Sequence, residues 1–162
     1  MLDIINNLAH DNVGMIHLVS AILATVFGTM VLVMKKGTAN HVRAGYAYTI
    51  SMVVMLITAF MIYRLFGGFG IFHIAAIVST FTLAGGMIPV IRKRPRKRWL
   101  EMHLAFMYWS VIGLYAAFAS ETLTRIPDTP FFGMVGIATF AIMLMGTLFY
   151  RRYLDSWKKT IG

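Results

Sequence analysis

The side chains best suited to chemistry in this 162-residue chain are its five histidines, His10, His17, His41, His73 and His103. Imidazole titrates near neutral pH and ligates metals, and which ring nitrogen is free is set by the hydrogen bond that the other makes. No cysteine is present, which excludes thiolate ligands, iron–sulfur clusters, disulfides and thioether-bound haem. All the histidines but His10 fall in or at the end of a long apolar run, and their placement alternates. His17 and His73 belong at one end of odd-numbered runs and His41 and His103 at the opposite end of even-numbered ones. Alternate runs therefore give an outer pair, His17/His73, and an inner pair, His41/His103. In an up-down bundle alternate helices lie diagonally opposite, which is the placement a flat cofactor held between two axial imidazoles requires. Ionisable residues inside a membrane normally face the protein interior and mark function.

The elements that must position these rings are membrane-spanning. Hydrophobic residues make up 59% of the chain and mean hydropathy is +0.73, well above an ordinary soluble domain. A hydrocarbon core of ~30 Å needs roughly 20 apolar residues in a helix. Five such runs are expected, at about 13–34, 44–65, 69–91, 103–123 and 131–150, followed by a basic amphipathic tail at 151–162. Short connections leave no room for a soluble domain. The expected fold is all-α, a single transmembrane domain in which five antiparallel helices bundle around a four-helix core. Cations and Gly37 end the first helix, and Thr38 can cap the second, placing His41 in its first turn. The glycines at 67, 68 and 70 form a turn that puts His73 at the start of the third helix. Helix five has no ionisable residue and carries Gly133, Gly136 and Gly146, so it suits packing on the bundle or on a second copy in a homodimer.

Orientation follows from the run Arg92–Arg98, in which Pro95 breaks the helix and six residues are Lys or Arg. A net charge of +9 on a soluble surface would suggest nucleic acid; here the cations lie at helix ends, so they indicate topology and attraction to anionic lipid. One side holds Lys35, Lys36, Arg43, the basic run, Arg151, Arg152, Lys158 and Lys159, and the other keeps Arg64 and Arg125. Asp3, Asp11, Glu121 and Asp128 fall with the latter. The expectation is a multi-pass protein of the bacterial inner (plasma) membrane, N-terminus outside and C-terminus cytoplasmic. The start, MLDIINNLAHDN, lacks the basic and cleavage regions of a signal peptide, so the first span is expected to remain.

The alternating histidines resemble those of transmembrane dihaem b-type cytochromes, where alternate helices of a four-helix core each give one ligand. Separately, KGTANHVRAGYAYTISM and HLAFMYWSVIGLYAAFASE look like segments of a family of small bacterial membrane proteins known as a domain of unknown function, a likeness that implies topology and no activity. The cytochrome resemblance implies two haem b groups on His17/His73 and His41/His103, with propionates met by Arg64 and Arg125 outside and by Arg43 and its neighbours inside. Helical phase puts Gly28 on the face of His17, Thr80 and Ala84 on that of His73, and Tyr48 and Met52 on that of His41. Small residues on such stripes leave room for a macrocycle and serve close packing equally.

Two other readings stand beside this one. Glu121, five turns after His103, shares its face at the outer end and should approach His17 and His73, a first shell for Zn²⁺ or copper joined by His10, Asp11 or Asp128. Alternatively the histidines only bridge helices in a non-catalytic membrane subunit or assembly factor, since an interfacial histidine is tolerated without a cofactor. The haem reading uses all four histidines. It implies a membrane oxidoreductase that passes single electrons between faces, with a quinol or small reductant and a redox partner as its associates and no residue acting directly as a catalyst.

Overall fold

A computed structural model describes residues 12–63, 67–96 and 98–161. They form five helices: α1 (Asn12–Val33), α2 (Ala39–Ala59), α3 (Ile71–Arg92), α4 (Trp99–Leu123) and α5 (Phe131–Ile161). Each is long and apolar enough to cross a membrane, and there is no strand among the described residues. Threonine hydroxyls along the helices donate back to the carbonyl four residues earlier, as Thr25 to Ala21 and Thr147 to Met143, so these polar groups are satisfied within their own helix.

The chain divides into two compact units, residues 1–80 and 81–162, with the boundary inside α3. In the first, α1 buries a narrow face of small residues, Ser20, Ala21, Ala24 and Gly28. In α2 the buried face is large, with Tyr48 and Met52 fully enclosed. Without a hydrophobic drive between helices in lipid, small residues opposite large ones provide the close van der Waals contact that holds such a pair. The connection is built as its residues suggest. Lys36 Nζ donates to the carbonyls of Val31 and Leu32 at 2.7 and 2.6 Å, Gly37 takes φ +77°, and the Thr38 hydroxyl accepts the His41 N–H at 3.2 Å. A cation on the last carbonyls and a hydroxyl at the N-cap satisfy groups that a helix leaves open at each end.

In the second unit glycine sets the spacing. A Cβ on Gly86 would meet the Met107 sulfur at 2.5 Å, and one on Gly146 would meet Ile112 at 2.7 Å, so α4 lies nearly against the backbones of α3 and α5. Pro89 sits within α3, where it removes one ladder hydrogen bond and disturbs the preceding turn. The helix closes with Lys93 at φ +52° and the Arg94 N–H on the Pro89 carbonyl, a left-handed cap carrying lysine where glycine is usual.

Three boundaries differ from the sequence expectation. Helix α2 begins at Ala39 and ends at Ala59, because Thr38 caps it early and Phe60 and Tyr63 turn aside to contact His73. The start of α4 is Trp99, since the Pro95 carbonyl accepts the N–H groups of Arg98 and Trp99 and Glu101 favours a first turn, so His103 lies a turn inside its helix. The expected tail is no separate element: α5 continues to Ile161, with Tyr150 and Trp157 both against Tyr108.

Candidate functional site

The histidines fall into two kinds. His17 and His103 stand one turn or more into their helices and bond to the neighbouring helix. His41 and His73 are each the third residue of theirs, where a side chain can serve the helix end.

His17 Nδ1 lies 3.2 Å from the Met55 carbonyl and 3.1 Å from the Thr58 hydroxyl. The carbonyl can only accept, and the hydroxyl proton goes to Val54 or Met55, so Nδ1 carries the proton and Nε2 holds a lone pair. His103 repeats the arrangement in the other unit, with Nδ1 2.9 Å from the Gly86 carbonyl. Because Gly86 has no side chain, α4 comes close enough for the ring to reach the main chain, and it does so in the turn before Pro89. Both rings thus have the tautomer found in metal-ligating histidines, whose other nitrogen donates to a carbonyl or carboxylate.

His73 has the opposite one. Its Nδ1 accepts the Gly70 N–H at 3.1 Å while its main-chain N–H goes to the Gly70 carbonyl at 3.0 Å. The Gly70 N–H bond is the side-chain half of a capping box, with histidine in the place of glutamate, while glycine offers only its carbonyl to the other half. In the neutral ring the proton is therefore on Nε2, which is buried and has no hydrogen-bond partner among the described residues; the whole residue is 4% exposed. Tyr63 and Phe69 stack on the ring at 4.8 and 4.9 Å, and Phe60 tilts against it at 6.4 Å. His41 is half-buried on the face of Ala44, Tyr48 and Met52, with its N–H capped by Thr38.

Of the other expected site residues, Arg43 and Arg125 are exposed and Glu121 is half-buried in the last turn of α4. Asp128 is exposed at φ +60°. Arg64, His10 and Asp11 lie outside the described residues. Among those described, no group of three or more His, Asp or Glu side chains gathers as a metal centre. The face of His17 does continue to a buried Gly28; on that of His73, Thr80 is exposed and the buried followers are Ala76 and Leu83.

Several contacts have no counterpart in the sequence reading. The Tyr108 hydroxyl donates to the Gly146 carbonyl at 2.6 Å, a buried bond between helices 38 residues apart in sequence. Around it Trp109, Tyr150 and Trp157 pack with ring centroids 5.5, 5.0 and 5.5 Å from that of Tyr108. Lys93 Nζ stands 4.0 Å over the ring of Trp99. The Gly70/His73 spacing of three and the Lys93/Trp99 pair within one connection are local; the Tyr108 contacts across to α5 depend on which helices meet.

The chain belongs to the family of predicted membrane proteins designated DUF2306, which matches residues 14–156. No curated protein and no solved structure gives a significant match. The family and the five apolar helices together make this a multi-pass membrane protein embedded in a lipid bilayer.

Proposed function

We propose that this DUF2306 protein is a transmembrane electron carrier of the b-haem type, with His17 and His103 as its leading ligands. The observation that carries the reading is the shared state of those two rings. Each donates Nδ1–H to a main-chain carbonyl of the adjoining helix, which fixes the ring and directs the Nε2 lone pair to a ligand. Since consecutive spans alternate in direction, the starts of α1 and α4 belong to opposite faces, so one such ring serves each side. The donor set suits low-spin iron, for which imidazole is a common axial ligand.

The fit is uneven among the four histidines. His41, expected from the sequence as the partner of His103, lies in the first turn of α2. His73 can complete the outer pair only by giving up its Gly70 bond, either to ligate through Nδ1 or to carry the proton there and ligate through Nε2. Haem, when bound, supplies reversible one-electron chemistry; the chain's own contribution is to orient the imidazoles, exclude water and offer cations, Arg43, Arg64 and Arg125 among them, to propionates.

The test is a reduced-minus-oxidised absorption spectrum with metal content on the same detergent-purified sample. Sharp low-spin bands with about two irons per chain are expected. His17→Ala and His103→Ala should each remove one component. If both disappear together, or neither does, the assignment fails.

A second reading is favoured by a different observation. Beside His103, the places where side chains on Gly85 and Gly86 would project are occupied by Phe106 and Met107, so close helix packing already uses the space. On that reading the histidines bridge helices and the protein is a non-catalytic membrane subunit. A colourless, metal-free protein that stays folded would establish it. For either reading we place the protein in the bacterial inner membrane with its basic loop and C-terminus cytoplasmic, on the charge distribution; reporter fusions at the C-terminus and after Arg96 should both be active only as cytoplasmic reporters.

A further inference from the structure

One end of the second unit gathers charge and aromatic surface that none of the histidine chemistry uses. The α3–α4 connection exposes Arg92, Lys93, Arg94, Arg96 and Arg98. At 31 residues α5 spans about 46 Å, well beyond a hydrocarbon core of ~30 Å. Its last turns are tied to α4 through Tyr150 and Trp157, whose rings lie 5.0 and 5.5 Å from Tyr108. Tyr153 stacks on Trp157 at 5.9 Å. With Tyr150 and Trp157 directed to α4, Arg151 and Arg152 are left exposed. The acidic groups here are Glu101, 3.8 Å from Arg98, and the exposed Asp155, so cations dominate.

We propose that this end of the unit is a binding surface for the head groups of anionic phospholipids. Cations that only direct insertion need no fixed arrangement once the chain has folded. Here the arrangement is fixed. Lys93 occupies a left-handed backbone position that is unfavourable for a side-chain-bearing residue, and its ammonium is held over Trp99. About three turns of α5 extend past the expected end of its span, the first two clamped by ring contacts, which fixes Arg151 and Arg152 on the exposed side of that segment. Guanidinium groups grip phosphate through paired hydrogen bonds, while Trp and Tyr favour the glycerol-ester level just below, so the two layers match the two parts of a phospholipid head. The surface is independent of any cofactor.

The experiment uses the full chain purified in a neutral detergent. Thermal unfolding is followed on adding dioleoylphosphatidylglycerol, dioleoylphosphatidylcholine at the same mole ratio, or inorganic phosphate. Phosphatidylglycerol should raise the midpoint by roughly 5 °C near saturation, phosphatidylcholine and phosphate by far less. The combined Arg94→Gln, Arg96→Gln, Arg151→Gln and Arg152→Gln variant should lose most of the difference between the two lipids. Should that variant not fold, the unmutated chain decides through salt, because screening at about 0.5 M shortens the reach of exposed charges and should remove the advantage. Equal responses to the two lipids, an equal response to phosphate, an advantage kept by the variant, or one indifferent to salt would each overturn the proposal.

Discussion

The two units hold their helices together by different means. Between α1 and α2, small side chains on one helix receive large ones from the other, with Ala24, Tyr48 and Met52 completely enclosed. Around α4, backbone itself is the contact surface, with Gly86 and Gly146 under Met107 and Ile112. The polar bonds follow from this. In the first unit His17 reaches the end of α2, where the Met55 carbonyl is shared with the Thr58 hydroxyl. In the second, α4 sends His103 and Tyr108 to the carbonyls of two glycines on the two helices beside it. A glycine thus does two things: it lets the helices approach and it uncovers an acceptor that a larger residue would shield.

The sharpest way to break the comparison is to fill a glycine. Gly86→Val should destabilise the second unit by about 3 kcal/mol, since the Met107 main chain also limits retreat, whereas Gly136→Ala, inside α5 with nothing near its Cβ, should stabilise by about 0.5–1 kcal/mol. Unfolding in mixed micelles by denaturing detergent measures both; similar losses would mean that the close approach at Gly86 is not essential. Next in size is Tyr108→Phe, which leaves the Gly146 carbonyl without its donor while keeping the ring, for about 1–2 kcal/mol. Comparable losses are expected for His103→Leu and His17→Leu, each of which strips a donor from a main-chain carbonyl. Measured against absorbance, these two variants also separate the two functions proposed for the protein: a stability loss alone marks a bridge, and a lost haem band marks a ligand.

Smaller effects test the helix ends. His73→Phe keeps a ring between Tyr63 and Phe69 but cannot accept the Gly70 N–H, and should cost about 1 kcal/mol, with His73→Asn costing less. Lys36→Met should be smallest, about 0.5 kcal/mol, because the ammonium's gain from the Val31 and Leu32 carbonyls is offset by burial, which lowers its pKa from the usual lysine range. The measurement is the same denaturation midpoint, and a loss larger than that of Tyr108→Phe would reverse this ranking.

How much of this is legible in the sequence depends on range. The α1–α2 connection was legible residue by residue, since Lys36, Gly37 and Thr38 act on groups within a few positions of themselves. So was the burial of Tyr48 and Met52 behind His41, because helical phase is a local property. The extent of α5 was not: its final turns are held by Tyr108, more than forty positions earlier, and basic composition alone read as a tail. For the histidines, the sequence located four rings and their alternation but carried no information on tautomer, which is where His17 and His103 part from His73.

The sequence by itself determined that the chain lives in a bilayer, which stretches are apolar enough to cross it, and where cations punctuate it, because lipid requires each span to satisfy its own backbone and to be apolar over its whole length. It did not determine what each polar side chain would do once spans met. That was decided by tertiary structure, through the approach distances that glycines 86 and 146 permit and through the carbonyls thereby laid open to His103 and Tyr108. Hydropathy is summed along one helix, whereas a hydrogen bond between helices depends on a separation held to within a few tenths of an ångström, which no single helix contains.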